Sequence, residues 1–158
     1  QMDTPDRVKN KGQHDISTRS VRPFATHLDR TPVEGAGDAK SGNLTWKTLI
    51  SADRMPSAEM VLGIANFPPH GKLNLHRHRP AEIYFGLSGV GTVTVDGETF
   101  GIAQGVAIFI PSNCEHGVVA GEAGLSLAYC FAQDAFGDIE YRYTNPGAAE
   151  RFIPGTTT

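Results

Sequence analysis

Between Leu44 and Thr144 the chain is a succession of short segments rich in β-branched and aromatic residues, each closed by Gly, Pro, Asn or Asp, with almost no apolar spacing of helical period. That punctuation predicts antiparallel strands joined by tight turns. The ten segments are LTWKTLI (44–50), EMVLGIANF (59–67), KLNLH (72–76), EIYFGLS (82–88), GTVTVD (91–96), ETFGIA (98–103), VAIFI (106–110), HGVVA (116–120), LSLAYCFA (125–132) and IEYRYT (139–144). Asp96-Gly97, between TVTV and ETF, is the sharpest turn of the series, because a two-residue type I′ hairpin needs positive φ at both positions. An all-β fold follows, either a sandwich or a small closed barrel.

The flanks read differently. Residues 1–43 are rich in Lys, Arg, Asp, Gly and Pro, with few apolar positions beyond Val21, Phe24 and Leu28, and are expected to form an extended N-terminal arm that orders only against something else. Residues 145–158 read as a Pro/Gly/Thr tail that frays, leaving 44–144 as the barrel. Gln1 has no expected role, Met2 being the expected natural start. With 158 residues, 39% hydrophobic and 20% charged, and a net charge of −3, the chain is expected to be one globular domain. It has no basic cluster to neutralise a nucleic-acid backbone, and no apolar run approaches the ~18 residues of a membrane span. Two cysteines, Cys114 and Cys130, make no disulfide framework, so a reducing cytoplasmic location is expected.

One segment breaks its own apolar alternation. In LNLHRHRPAEIYFGLSG (73–89), His76 and His78 occupy alternate positions and therefore one side of a strand, and Pro80 turns the chain so that Glu82 can approach the same point from the next strand. Two imidazoles and a carboxylate suit Fe(II), Mn(II), Zn(II), Ni(II) or Cu(II). A fourth ligand has to come from elsewhere in the fold, and His116, after a strand and the Pro111 turn, is the candidate. One divalent transition metal per chain is expected, Fe(II) ahead of Mn(II), Zn(II) and Ni(II). His14, His27 and His70 lie in the arm or a Pro-rich loop and are expected to hold no metal.

The stretch Gly71-x4-His76-x-His78-x3-Glu82-x6-Gly89 resembles the first cupin motif, and Gly105-x5-Pro111-x4-His116 resembles the second, with fifteen residues between Gly89 and Gly105 as in small single-domain cupins. The resemblance spans residues 44–132. It implies a double-stranded β-helix, the jelly-roll barrel of that family, and a metal held by His76, His78, Glu82 and His116. Asn113 stands where the second motif often has Gly, and Ala120 where Asn is common.

Tyr84 shares a strand face with Glu82, so its phenol is expected near the metal as a core aromatic, a substrate anchor or a general base, the last if a nearby cation lowers its pKa from ~10. Tyr129 has a weaker claim to the same role, and Cys114 is expected to be a buried or loop thiol. Leu62, Ile64, Ile108, Phe109 and Leu127 supply candidate apolar walls, a setting for a small carboxylate or enol-type molecule. Ile83, Phe85 and Leu87 fall on the opposite face of the Glu82–Tyr84 strand and need a cover. A homodimer in which the arm acts as a strand or strap is expected.

Within the cupins, Glu82-Ile83-Tyr84 after HxH looks like the small lyases that cleave dimethylsulfoniopropionate into dimethyl sulfide and acrylate. That resemblance implies ligand roles for His76, His78, Glu82 and His116 and makes Tyr84 the base that removes the α-proton. An Fe(II)-dependent dioxygenase of a small diketone or dihydroxylated aromatic, or a non-catalytic small-molecule-binding cupin, would use the same ligands. Nothing in residues 1–43 looks like a helix-turn-helix, which weighs against a sensor fused to a DNA-binding module.

Overall fold

The computed structural model describes residues 21–146, so the first part of the arm with His14, and nearly all of the expected tail, lie outside the described residues. Eight strands form: β1 (Thr45–Ile50), β2 (Val61–Phe67), β3 (Lys72–Arg77), β4 (Glu82–Val95), β5 (Glu98–Ala103), β6 (Ala107–Ile110), β7 (His116–Phe131) and β8 (Arg142–Tyr143). They pair antiparallel in the order β1-β2-β7-β3-β8, with β4 joined to β5, β6 and β7. This is the all-β class expected from the alternation, in the jelly-roll form that the cupin resemblance implies.

Two pairs of expected strands prove to be single ones. Segments 82–88 and 91–96 are one 14-residue strand, and 116–120 and 125–132 are one 16-residue strand. The glycines between them bend the strands instead of ending them. Register shifts fall at Gly86/Ser88 and Gly89/Gly91, and Gly89 and Gly124 take left-handed φ of 71° and 76°, a conformation glycine adopts without the Cβ penalty.

The bends have a large consequence. β4 and β7 form one ladder running from Glu82↔Phe131 to Val95↔His116. Laid out straight, fourteen residues of strand would separate the two ends by roughly 40 Å. In the folded chain Glu82 Oε2 lies 3.0 Å from His116 Nε2. The ribbon therefore curls back until its ends meet, which closes the barrel and creates the site in the same step.

Inward positions of the ribbon carry the core, with Tyr84, Val93, Ile110, Val118, Leu127 and Phe131 buried. Ile83, Phe85 and Leu87 alternate outward as expected, and Phe109, paired directly with Ile83, also faces out, where it is 66% exposed and lines no cavity. Of the other expected walls, Ile64, Ile108 and Leu127 are buried.

The described part of the arm orders along the barrel itself. Glu34 bridges to Trp46 and Gly42 to Leu73, while Asn43 exchanges bonds with Lys72 through both its backbone and its side chain. After β7 the chain crosses the barrel, held by Phe136 N–H donating to Ser51 Oγ at 2.8 Å and Gly137 N–H donating to Asp53 Oδ2 at 3.0 Å. Of the expected 139–144 strand, Arg142 and Tyr143 pair with β3 and Thr144 N–H donates to the Leu75 carbonyl, while a tight turn at Phe136–Asp138 precedes them.

Candidate metal centre

The site begins with strand register. His76 and His116 are directly paired between β3 and β7, with ring centroids 4.2 Å apart. His78 follows two residues beyond His76, its ring 5.4 Å from that of His76 and 4.8 Å from that of His116. Possible ligand atoms of the three histidines all lie within 4.8 Å of one another, and all three residues are buried. Glu82, at the start of β4, places Oε2 3.0 Å from the Nε2 of both His78 and His116.

Each imidazole is oriented from behind. His76 Nδ1 lies 2.7 Å from the Asn74 carbonyl, His78 Nδ1 3.0 Å from that of Pro80, and His116 Nδ1 2.8 Å from that of Cys114. A carbonyl oxygen only accepts, so each Nδ1 carries a proton and each ring presents its other nitrogen, Nε2, to the common centre. This is the outer hydrogen bonding typical of metal-binding histidines. Three Nε2 atoms and the Glu82 carboxylate thus converge on one centre, the donor arrangement that a bound cation completes. The donor set therefore fits a divalent transition metal.

Electrostatics point the same way. Burial, with His116 next, pulls the His76 pKa from 6.5 to about 3, which keeps its lone pair free at neutral pH. Burial alone would raise the Glu82 carboxyl, but its contacts with His116 and His78 outweigh that and hold it below the usual value.

Beyond the histidines opens a cavity of about 290 Å³, small for a ligand site. Glu82 and Tyr84 line it together, and the Tyr84 ring meets that of His116 edge-on at 6.1 Å. Burial and then the Glu82 charge push the Tyr84 phenol well above its ordinary pKa. Tyr129 pairs with Tyr84 across the ladder, but its phenol lies over Gly63, where a Cβ would stand 2.2 Å from the hydroxyl. That hydroxyl is buried without a hydrogen-bond partner among the described residues and stands over β2.

Two aromatics at the site had no part in the sequence expectations. Tyr141 stacks on His76 at 5.0 Å and meets His78 edge-on at 5.2 Å, and Tyr143, opposite His76 in the β3–β8 pair, stands 5.8 Å from it. The alternation in IEYRYT already placed both on one face; what that face would meet depended on the crossing of the barrel. Among the described histidines, His27 caps a short turn and His70 sits in a loop, both outside the cluster. Cys114 and Cys130 are free thiols. Asn113, where the motif often has Gly, takes φ of 61°, a left-handed conformation that Asn tolerates better than most residues.

Comparison with known proteins agrees with this geometry. The model of the cupin domain matches residues 63–128, which run from β2 through every candidate ligand to β7. Dimethylsulfoniopropionate lyase DddW of Ruegeria pomeroyi is 47% identical over 122 residues, covering 77% of this chain and 80% of that protein. An RmlC-like cupin from Shewanella frigidimarina superposes with a TM-score of 0.61 at 22% identity, over 74% of this chain and 96% of that one. A structure of the dimethylsulfoniopropionate lyases RdDddP and RnDddQII gives a TM-score of 0.63 at 15% identity, over 72% and 62% of the two chains. At those identities the two structures attest the fold alone. With the barrel, the three-histidine cluster and the close relative in agreement, the chain belongs to the cupin family.

Proposed function

We propose that the protein is a lyase that cleaves dimethylsulfoniopropionate into dimethyl sulfide and acrylate, using one divalent transition metal held by His76, His78, Glu82 and His116. The observation that carries this reading is the 47% identity to a dimethylsulfoniopropionate lyase over 77% of the chain. A buried histidine cluster opening into a tyrosine-lined cavity fits it.

The ion, once bound, supplies a Lewis acid for the substrate carboxylate, which acidifies the adjoining α-carbon. Tyr84 is the base in this reading. Burial and Glu82 hold its proton on, so positive charge at the histidines has to offset both before the phenolate forms. The phenolate oxygen then takes the α-proton, the C–H pair becomes the Cα=Cβ double bond, and the Cβ–S bond breaks with its pair leaving on sulfur as neutral dimethyl sulfide. The apolar wall around Leu127 and Phe67 keeps water from the carbanion-like centre. Fe(II) is the metal we place first, with Mn(II), Zn(II) and Ni(II) behind it. We also place the protein as a homodimer joined through the outward apolar face of β4 and β6.

Elemental analysis of the purified protein, reconstitution with each of these metals, and headspace detection of dimethyl sulfide test the reading. Near one metal per chain with dimethyl sulfide released supports it. Metal retained with no dimethyl sulfide under any loading overturns it.

A further inference from the structure

We propose that the part of the cavity beyond the histidines selects substrate by positive charge, with Trp46, Phe136 and Tyr141 forming an aromatic cage for an onium group. The placement rests on the lyase reading in one respect, that the substrate carboxylate lies at the histidine end.

Seven of the sixteen residues lining the cavity are aromatic, and none is basic. Of its two charged lining residues, Glu82 belongs to the histidine centre, and Asp38 accepts from Ser41 Oγ at 2.6 Å and from the Lys40 backbone N–H at 3.2 Å. A pocket meant only to exclude water is built equally well from aliphatic side chains, whereas ring faces make the interior attractive to a cation.

All three rings line the same cavity. Phe136 is their hub, 6.2 Å from Trp46 at 55° and 6.1 Å from Tyr141 at 60°. Tilted neighbours do not close up as a parallel stack does, so each keeps part of its face free of the other. Tyr141 also stacks on His76 at 5.0 Å, so the cage begins where the histidines end. A zwitterion whose carboxylate and onium centre are three bonds apart spans that step. Tyr143 is left out of the assignment because Lys40 Nζ already stands 6.0 Å over its ring.

Trp46 is the only tryptophan in the chain, so its fluorescence reports on this part of the cavity alone. The metal-loaded protein would be titrated with 3-(trimethylammonio)propanoate and with 4,4-dimethylpentanoate, two carboxylates of nearly the same shape that differ in the charge of the quaternary centre. The cation is expected to bind about tenfold more tightly. Phe136→Leu is expected to bring the two affinities within about threefold by weakening the cation alone, while Phe136→Tyr keeps the preference. Equal affinities in the unmodified protein overturn the inference. So does a preference that survives unchanged in both Phe136→Leu and Tyr141→Leu. Metal content of each variant, measured alongside, separates loss of the cage from loss of the centre. Dimethyl sulfide release without charge preference removes this inference and leaves the lyase reading; charge preference without release does the reverse.

Discussion

Three Nδ1-to-carbonyl contacts decide what the histidines can do, since they leave Nε2 as the nitrogen each ring points inward. His78→Ala is expected to abolish metal retention, read as metal per chain after dialysis. Tyr84→Phe is expected to keep the metal and lower turnover by about 10²–10⁴-fold, the usual range for a lost general base. Turnover unchanged in that variant would retire Tyr84 as the base. His76 adds a pH dependence. It titrates near 6.5 in the unfolded chain and near about 3 when folded, so between those values the unfolded state binds the extra proton. Metal-free protein is therefore expected to lose stability as pH falls from about 6.5 toward about 3, seen as a falling melting temperature across that window. A flat profile would mean that His76 is not held neutral. At this scale the sequence was highly legible: HxHxxxE and a distal His name residues that the fold brings together. Tyr141 and Phe136 were not legible, because a tyrosine or phenylalanine in a strand-like run is ordinary core material until its neighbours are known.

At the scale of elements, the punctuation that located the turns also overcounted the strands. Gly89 and Gly124 look like loop residues in a string of letters, and only pairing with a partner shows that the ladder continues through them. Asp96-Gly97 was read correctly because a two-residue turn is a local matter, and both residues take positive φ, 45° and 81°. Gly86 shows how tightly the bends are built: a Cβ there would stand 1.9 Å from the Ala103 carbonyl oxygen. Gly86→Ala is expected to cost about 1–3 kcal/mol by overpacking, read from the urea midpoint. The same change is expected to disturb Tyr84, two residues away on the same face, so activity lost at temperatures where the variant is still folded would tie the bend to the site.

At the scale of the whole molecule, the outward face of β4 and β6 presents Ile83 at 47%, Phe85 at 43% and Phe109 at 66% exposure. Such a patch on an antiparallel sheet is a candidate for an isologous contact. Light scattering on the purified protein is expected to give the mass of two chains, and Phe109→Asp is expected to give one. A monomer before substitution would remove the dimer proposal. If the arm is a strap, removal of residues 1–30 should weaken the dimer as well. Alternation along the chain was enough to determine the all-β class, the inner and outer faces of β4, and the identity of the four candidate ligands, because these depend on period, residue type and spacing. Closure was decided only by the tertiary structure. The ends of the β4–β7 ribbon meet because glycine bends accumulate around a barrel, and the aromatic cavity exists because residues 132–143 cross it; both are contacts between distant parts of the chain, which no local pattern encodes.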